Sequence, residues 1–150
     1  MRLKAIAAAV LVAGMGVTSV FAAGEGTHDA RVALMKKVGG ATGALAAIAK
    51  GDKPYDAEAI KAALTTISET AKIFPDQFKA GTETSAQDPE ASPKIWENMD
   101  DFKARAAKLG TDANALLAQL PADAGGVGAG LKVLGASCGG CHQIYRIKKE

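Results

Sequence analysis

Val127-Gly128-Ala129-Gly130-Leu131-Lys132-Val133-Leu134-Gly135-Ala136-Ser137-Cys138-Gly139-Gly140-Cys141-His142-Gln143-Ile144-Tyr145 is the stretch whose reading decides the fold. Val127, Leu131, Leu134, Cys138, Cys141 and Tyr145 recur at steps of three and four, the stripe of a helix that buries one face. The same alternation appears three more times upstream. Met35, Val38, Thr42, Leu45 and Ala49 form one line. Ile60, Leu64, Ile67, Ala71 and Phe74 form a second, and Ile95, Met99, Phe102, Ala106 and Leu109 a third. No segment of comparable length alternates with period two. Four such helices joined by short to medium connections predict an all-α, antiparallel four-helix bundle.

Punctuation along the chain agrees. Asp56 is placed to cap the second helix, and Ser92 followed by Pro93 reads as an N-cap and first-turn pair for the third. Pro54, Pro75 and Pro89 fall in connections. Thr111 or Asp112 is expected to open a short extra helix through Leu116 and Leu117 that ends at Pro121. The stretch from Pro75 to Pro89 is the longest connection and is a candidate to lie beside a ligand. Gly39, Gly40 and Gly43 interrupt the first helix at a cost of about 1 kcal/mol each relative to alanine. Close helix–helix approach or a flat ligand pressed on that face would each account for them.

Composition narrows the class. Of 150 residues, 48% are hydrophobic and only 5% aromatic, which favours closely packed helices over a β-sandwich. The formal charge of +2 gives no basic field of the kind that nucleic-acid binding needs.

Arg2 and Lys4 precede an uncharged run from Ala5 to Phe21, and Val20-Phe21-Ala22 presents small residues where a signal peptidase reads. The run, about 17 residues and rich in alanine, lies at the bottom of the membrane-spanning range. Residues 1–22 are therefore expected to be a cleaved export signal rather than an anchor, and residues 23–150 a single domain. Without Arg2 and Lys4 the chain carries 16 Lys and Arg against 16 Asp and Glu, so it is formally neutral.

Two cysteines and two histidines are the entire inventory of thiol and imidazole ligands. Three of these four residues lie in Cys138-Gly139-Gly140-Cys141-His142. Two thiols two residues apart, followed at once by histidine, is the attachment pattern of c-type haem. On a helix Cys138, Cys141 and His142 project to one side. The thiols are placed to add to two porphyrin vinyl groups, and the imidazole to reach the iron. The glycine pair between them is expected to leave room for the macrocycle. Three other readings compete. An exported pair commonly forms a disulfide, although the adjacent histidine is then coincidental. A thioredoxin-like redox pair belongs at a helix N-terminus in a βαβ setting, not late in a helix. A zinc site needs four ligands, and only the distant His28 is left to join.

The position of this motif on the last helix, with Tyr145 and Arg146 after it, resembles the class II c-type cytochromes. These are the cytochrome c′ and low-spin c-556 proteins of bacterial periplasms. Arg31-Val32-Ala33-Leu34-Met35-Lys36-Lys37, Ala49-Lys50-Gly51-Asp52-Lys53-Pro54-Tyr55-Asp56 and Ser92-Pro93-Lys94-Ile95-Trp96 carry the rest of the resemblance. It implies one thioether-linked haem c on Cys138 and Cys141, with His142 as the iron's proximal ligand. It also implies that Met35 sits on the distal face, as the sulfur ligand of the low-spin members or as the blocking side chain of cytochrome c′. Met99 is a weaker sulfur candidate. His28 is expected to be solvated, and serves as a second imidazole only if the first helix starts earlier than its apolar line indicates.

The resemblance further assigns Arg31, one turn before Met35, to a haem propionate, against the alternative of a solvent-exposed arginine at a helix end. Val32 stands where the family often has a second propionate contact. Arg146 matches a basic residue near the proximal side, and Phe78, Trp96 and Tyr145 are candidate pocket walls. The implied function is one-electron transfer in the periplasm with His/Met ligation, not enzymatic turnover. The implied partners are periplasmic redox proteins, with no stable membrane anchoring after cleavage, and the first two helices permit a homodimer. The alternative is a five-coordinate haem that binds NO or CO.

Overall fold

The computed structural model describes residues 26–83 and 90–148. Each long helix has a local cause for its start. α1 (His28–Lys50) begins where the Thr27 hydroxyl accepts the Ala30 N–H at 3.2 Å. It stops at Gly51, whose φ of 81° closes the helix in a left-handed turn that costs a glycine nothing. α2 (Ala57–Ile73) is capped as expected by Asp56, which takes the N–H groups of Glu58 and Ala59. It runs directly into a 3₁₀ turn, Phe74–Gln77. α5 (Ala124–Tyr145) opens on Asp123, whose carboxylate accepts the Gly126 N–H at 2.7 Å.

The third apolar line divides. α3 (Lys94–Glu97) is a single turn, and α4 (Met99–Ala118) follows it after Asn98, whose φ of −132° and ψ of 51° leave the helical region. The cap position falls on Pro93, one residue later than expected and without a side-chain bond, while the Ser92 hydroxyl just before it accepts the Lys94 N–H at 3.3 Å. The extra helix expected from Thr111 or Asp112 does not exist as a separate element, because α4 passes through both residues. Gly110-Thr111-Asp112 reads locally as a stop followed by a cap. Packing overrides it: Gly110 is buried against α2, where a Cβ would lie 3.7 Å from the Ala71 Cβ and from the Ser68 carbonyl. Asp112 is drawn into side-chain bonds instead of capping.

α1, α2, α4 and α5 form the four-helix bundle. α1 packs on α2 and α5, and α4 packs on the same two, so the diagonal pairs stay apart. Its centre is aliphatic: Leu45 and Ile48 of α1, Ile60, Leu64 and Ile67 of α2, and Leu134 of α5 are all at most 3% exposed. Burying each stabilises by roughly 1.5–3 kcal/mol. One end carries a second, aromatic cluster. Phe102 lies at its middle, with ring centroids 4.8 Å from Phe78, 5.2 Å from Tyr145 and 6.1 Å from Phe74. Pairs at these separations add roughly 0.5–1.5 kcal/mol beyond area burial.

Within this chain, the glycines of α1 do not mark a close helix approach. A Cβ added at Gly39, Gly40 or Gly43 meets no atom within 4 Å. Of the long Pro75–Pro89 connection, residues 84–89 lie outside the described residues, as do residues 1–25, which include the expected export signal and its cleavage site.

Because α4 is continuous at Gly110 and the added methyl finds ordinary contact distances, Gly110→Ala should raise stability by about 1 kcal/mol in urea unfolding. A loss of stability would show that the chain breaks its helix there.

Candidate cofactor-binding site

A cavity of about 610 Å³ opens between α1, α4 and α5 next to the aromatic cluster. That volume lies in the range of small-molecule and cofactor clefts. Cys138, Cys141 and His142 reach it from α5, as their helical spacing requires. Met35 and Arg31 reach it from α1. All five residues singled out in the sequence therefore share one cavity. The cysteines are unbridged and half-buried. Burial pushes both thiols above their usual pKa, outweighing the nearby Arg105 charge at Cys141. A thiol held protonated in this way is a poor candidate for a redox-active pair, whose chemistry needs a stabilised thiolate. The apolar surroundings and then the Arg146 charge hold the His142 imidazole below its usual range, which keeps it neutral and fit to ligate.

The glycine pair of the motif does not make the room that was expected of it. Neither Gly139 nor Gly140 lines the cavity, because on a helix they point away from the face carrying Cys138 and Cys141. A Cβ at Gly140 would sit 3.7 Å from Arg105 Nη1, and that guanidinium donates to the Gly140 carbonyl at 3.0 Å.

Arg31 is not a solvent-exposed helix-end arginine; it is 5% exposed. Nε donates to the Gln77 carbonyl at 3.0 Å, and Nη2 to the Gly26 carbonyl and to both oxygens of Thr82. Its guanidinium carbon lies 4.3 Å from the Phe78 ring centroid and 5.4 Å from that of Trp96. Buried charge is tolerated only with such pairing. His28 is also placed differently from expectation. α1 begins at this residue, and its half-buried imidazole lines the cavity. Phe78 and Tyr145 form walls as anticipated. Trp96 and Met99 instead pack behind the wall in the aromatic cluster, and Trp96 Nε1 donates to the Lys79 carbonyl.

Three bonds from α4 bracket the motif. Asp112 accepts from the Ser137 hydroxyl at 2.5 Å, Arg105 donates to Gly140, and Asp101 accepts from the Tyr145 hydroxyl at 2.6 Å. Burial, reinforced by the Asp101 hydrogen bond, pushes the Tyr145 phenol up to about 12. Beyond the end of α5, Arg146 pairs with Glu90 at 2.8 Å, while Ser92 N–H and Ile147 N–H bond the Tyr145 and Glu90 carbonyls. Arg105, Ser137 and Glu90 were not singled out in the sequence. For Arg105 and Ser137 a signal was present, since each follows or precedes an apolar-line residue by one position, but nothing local says that they face a cavity.

A family model described as Cytochrome C′ matches residues 27–146. A cytochrome c-556 of Agrobacterium tumefaciens (strain apple 185) is 70% identical over 125 residues, covering 83% of this chain and 98% of that protein. A cytochrome c-556 of Agrobacterium fabrum is 58% identical over 149 residues, covering 99% of both. Among solved structures, a mutant of Rhodopseudomonas palustris cytochrome c′ superposes with a TM-score of 0.75 at 30% identity, over 84% of this chain and all of that one. An NMR-validated model of oxidized cytochrome c556 from the same organism gives 0.72 at 33% identity, over 81% and 96%.

Asp112 makes the site's stability pH-dependent. Burial alone would raise its pKa, but the Lys108 and Ser137 hydrogen bonds outweigh it and hold the carboxyl below its ordinary range. A depressed folded-state pKa stabilises above the unfolded value and is lost as pH falls through the folded one. Urea unfolding from pH 7 downward should therefore show stability falling below the ordinary aspartate range, with a shallower fall in Asp112→Asn. Identical slopes would remove Asp112 from the account.

Proposed function

Since the chain belongs to the Cytochrome C′ family, we propose that it is a periplasmic one-electron carrier with His142 and Met35 as axial ligands of a covalently bound haem c. The observation that carries this reading is the convergence of two unbridged thiols, an imidazole and a thioether on one apolar cavity of cofactor size. The donor set fits the group: two sulfurs at i and i+3 for thioether bonds, nitrogen at i+4 and soft sulfur from α1 for iron. When bound, the haem supplies a reversible one-electron couple.

The chain's own residues do the rest. Cys138 and Cys141 would hold the haem to α5 through thioether bonds. His142 presents a neutral ring nitrogen. Met35, partly buried against the aliphatic core, brings sulfur from the neighbouring helix on a flexible stem. If His142 and Met35 both held the iron from a rigid bundle, little would rearrange on electron transfer, which suits a carrier rather than an enzyme. Arg31 is the group assigned to a haem propionate. Its bonds to Gln77 and Thr82 hold the cation on the wall. Residues 1–22 are assigned to export, which places the working partners among periplasmic redox proteins. A homodimer through α1 and α2 is compatible with the open surface at Gly40 and Gly43.

The competing reading is a five-coordinate haem that takes NO or CO, with Met35 lining the distal face without binding. Visible spectra of the purified protein in both oxidation states decide between them. Sharp reduced α and β bands are expected, and Met35→Ala should replace them with one broad band. An unchanged spectrum in Met35→Ala defeats the ligand assignment and turns attention to His28 on the same wall. Cys138→Ser with Cys141→Ser should abolish covalent haem, read as loss of added mass on the intact chain.

A further inference from the structure

Several cations reach the cavity, and their surroundings differ. Arg146 is paired with Glu90, and both side chains line the cavity, so their charges largely cancel at that wall. Arg31 is embedded among carbonyls and aromatic rings. Lys36 is exposed, and a solvated amine is well screened. Arg105 is different. Its Nη1 donates at 3.0 Å to Gly140, inside the attachment motif on α5 and adjacent to Cys141. Its Nε donates at 2.7 Å to Asp101. Arg105 lines the cavity and Asp101 does not, so the cation is the nearer member of the pair. The same Asp101 oxygen also accepts the Tyr145 hydroxyl, which disperses the negative charge further.

We propose that Arg105 sets the reduction potential: a cation clamped between Asp101 and the Gly140 carbonyl, on the cavity wall beside Cys141, favours the reduced state of the bound haem. The inference rests on the electron-carrier reading. On reduction one electron passes from a partner protein to the ferric iron, giving ferrous iron and lowering the site's charge by one; no proton moves. A fixed neighbouring cation repels the oxidised site more than the reduced one. Arg105 is 34% exposed, so solvent screens it in part, but its two bonds keep the cation from swinging away as a free lysine amine would. Asp101 has two opposed effects, since it orients the arginine and contributes a more distant negative charge. Removing that negative charge raises the potential as long as Arg105 stays bonded to Gly140.

The test is a spectroelectrochemical titration of the haem-loaded wild type, Arg105→Gln, Arg105→Lys and Asp101→Asn. Arg105→Gln should shift the oxidised-to-reduced ratio about tenfold toward the oxidised form, a drop of about 59 mV for one electron. Arg105→Lys should stay within a third of that drop, and Asp101→Asn should move the opposite way. A purely structural role would loosen the α4–α5 seam in both Arg105→Gln and Asp101→Asn and move both in one direction. That result overturns the proposal, as does an unmoved Arg105→Gln, or an Arg105→Lys as low as Arg105→Gln. If Arg105→Gln fails to accumulate with haem, Asp101→Asn against Arg105→Lys decides: a raised potential in the first with an unmoved second supports the proposal, and any other pattern overturns it. A wild type without a reversible couple overturns the electron-carrier reading and this proposal together, whereas a normal wild-type couple with unmoved variants overturns this proposal alone.

Discussion

The seam between α4 and α5 is where sequence chemistry becomes a site. Cys138, Cys141 and His142 share a helix face by spacing alone, but a face has a function only once something decides what it looks at. Along one side of α4, Asp101, Arg105 and Asp112 bond to Tyr145, Gly140 and Ser137, residues that bracket the attachment motif at both ends and in its middle. With those bonds made, rotation of α5 about its axis is resisted and the thiols are held toward α1. The aromatic cluster works in the same direction, because Tyr145 packs its ring on Phe102 while its hydroxyl is tied to Asp101.

The bundle's two cores divide the labour. The aliphatic core of α1, α2 and α5 is a dense set of side chains with almost no exposure, and it holds the helices at a fixed separation. The aromatic end is built around a space. Phe102, Phe78 and Tyr145 face the cavity and pack among themselves behind it, so the wall stands on ring–ring contacts. Arg31 closes that end by joining Gly26, Gln77 and Thr82 through one guanidinium, tying the start of α1 to the connection after α2. A lysine has no rigid fork with which to make those bonds together.

Much of this was legible in the chain. The apolar lines of α1, α2 and α5 are long and regular, and the cap at Asp56 has a direct chemical cause, so helix type and order follow from local rules. The motif at residues 138–142 announces its chemistry because few constellations place two thiols and an imidazole within one turn. Reading failed at Gly110-Thr111-Asp112, where local preference favours a break and contact with Ala71 and Ser68 keeps the helix whole. It failed at Asn98 for the opposite reason, since the apolar line of the third stretch continues across a residue whose backbone leaves the helix. It also misjudged His28, which was expected in solvent but is half-buried on the cavity wall.

The residues alone settled the helical class, the positions of the thiols and imidazole on one face, and the family to which they point, because periodicity and spacing are properties of adjacent positions. Tertiary structure decided which cations stand on the cavity wall, which glycines face open space and that Arg105 holds the attachment turn of α5. Those outcomes depend on the distance between α4 and α5, and no local pattern encodes the separation of two segments that only packing brings together.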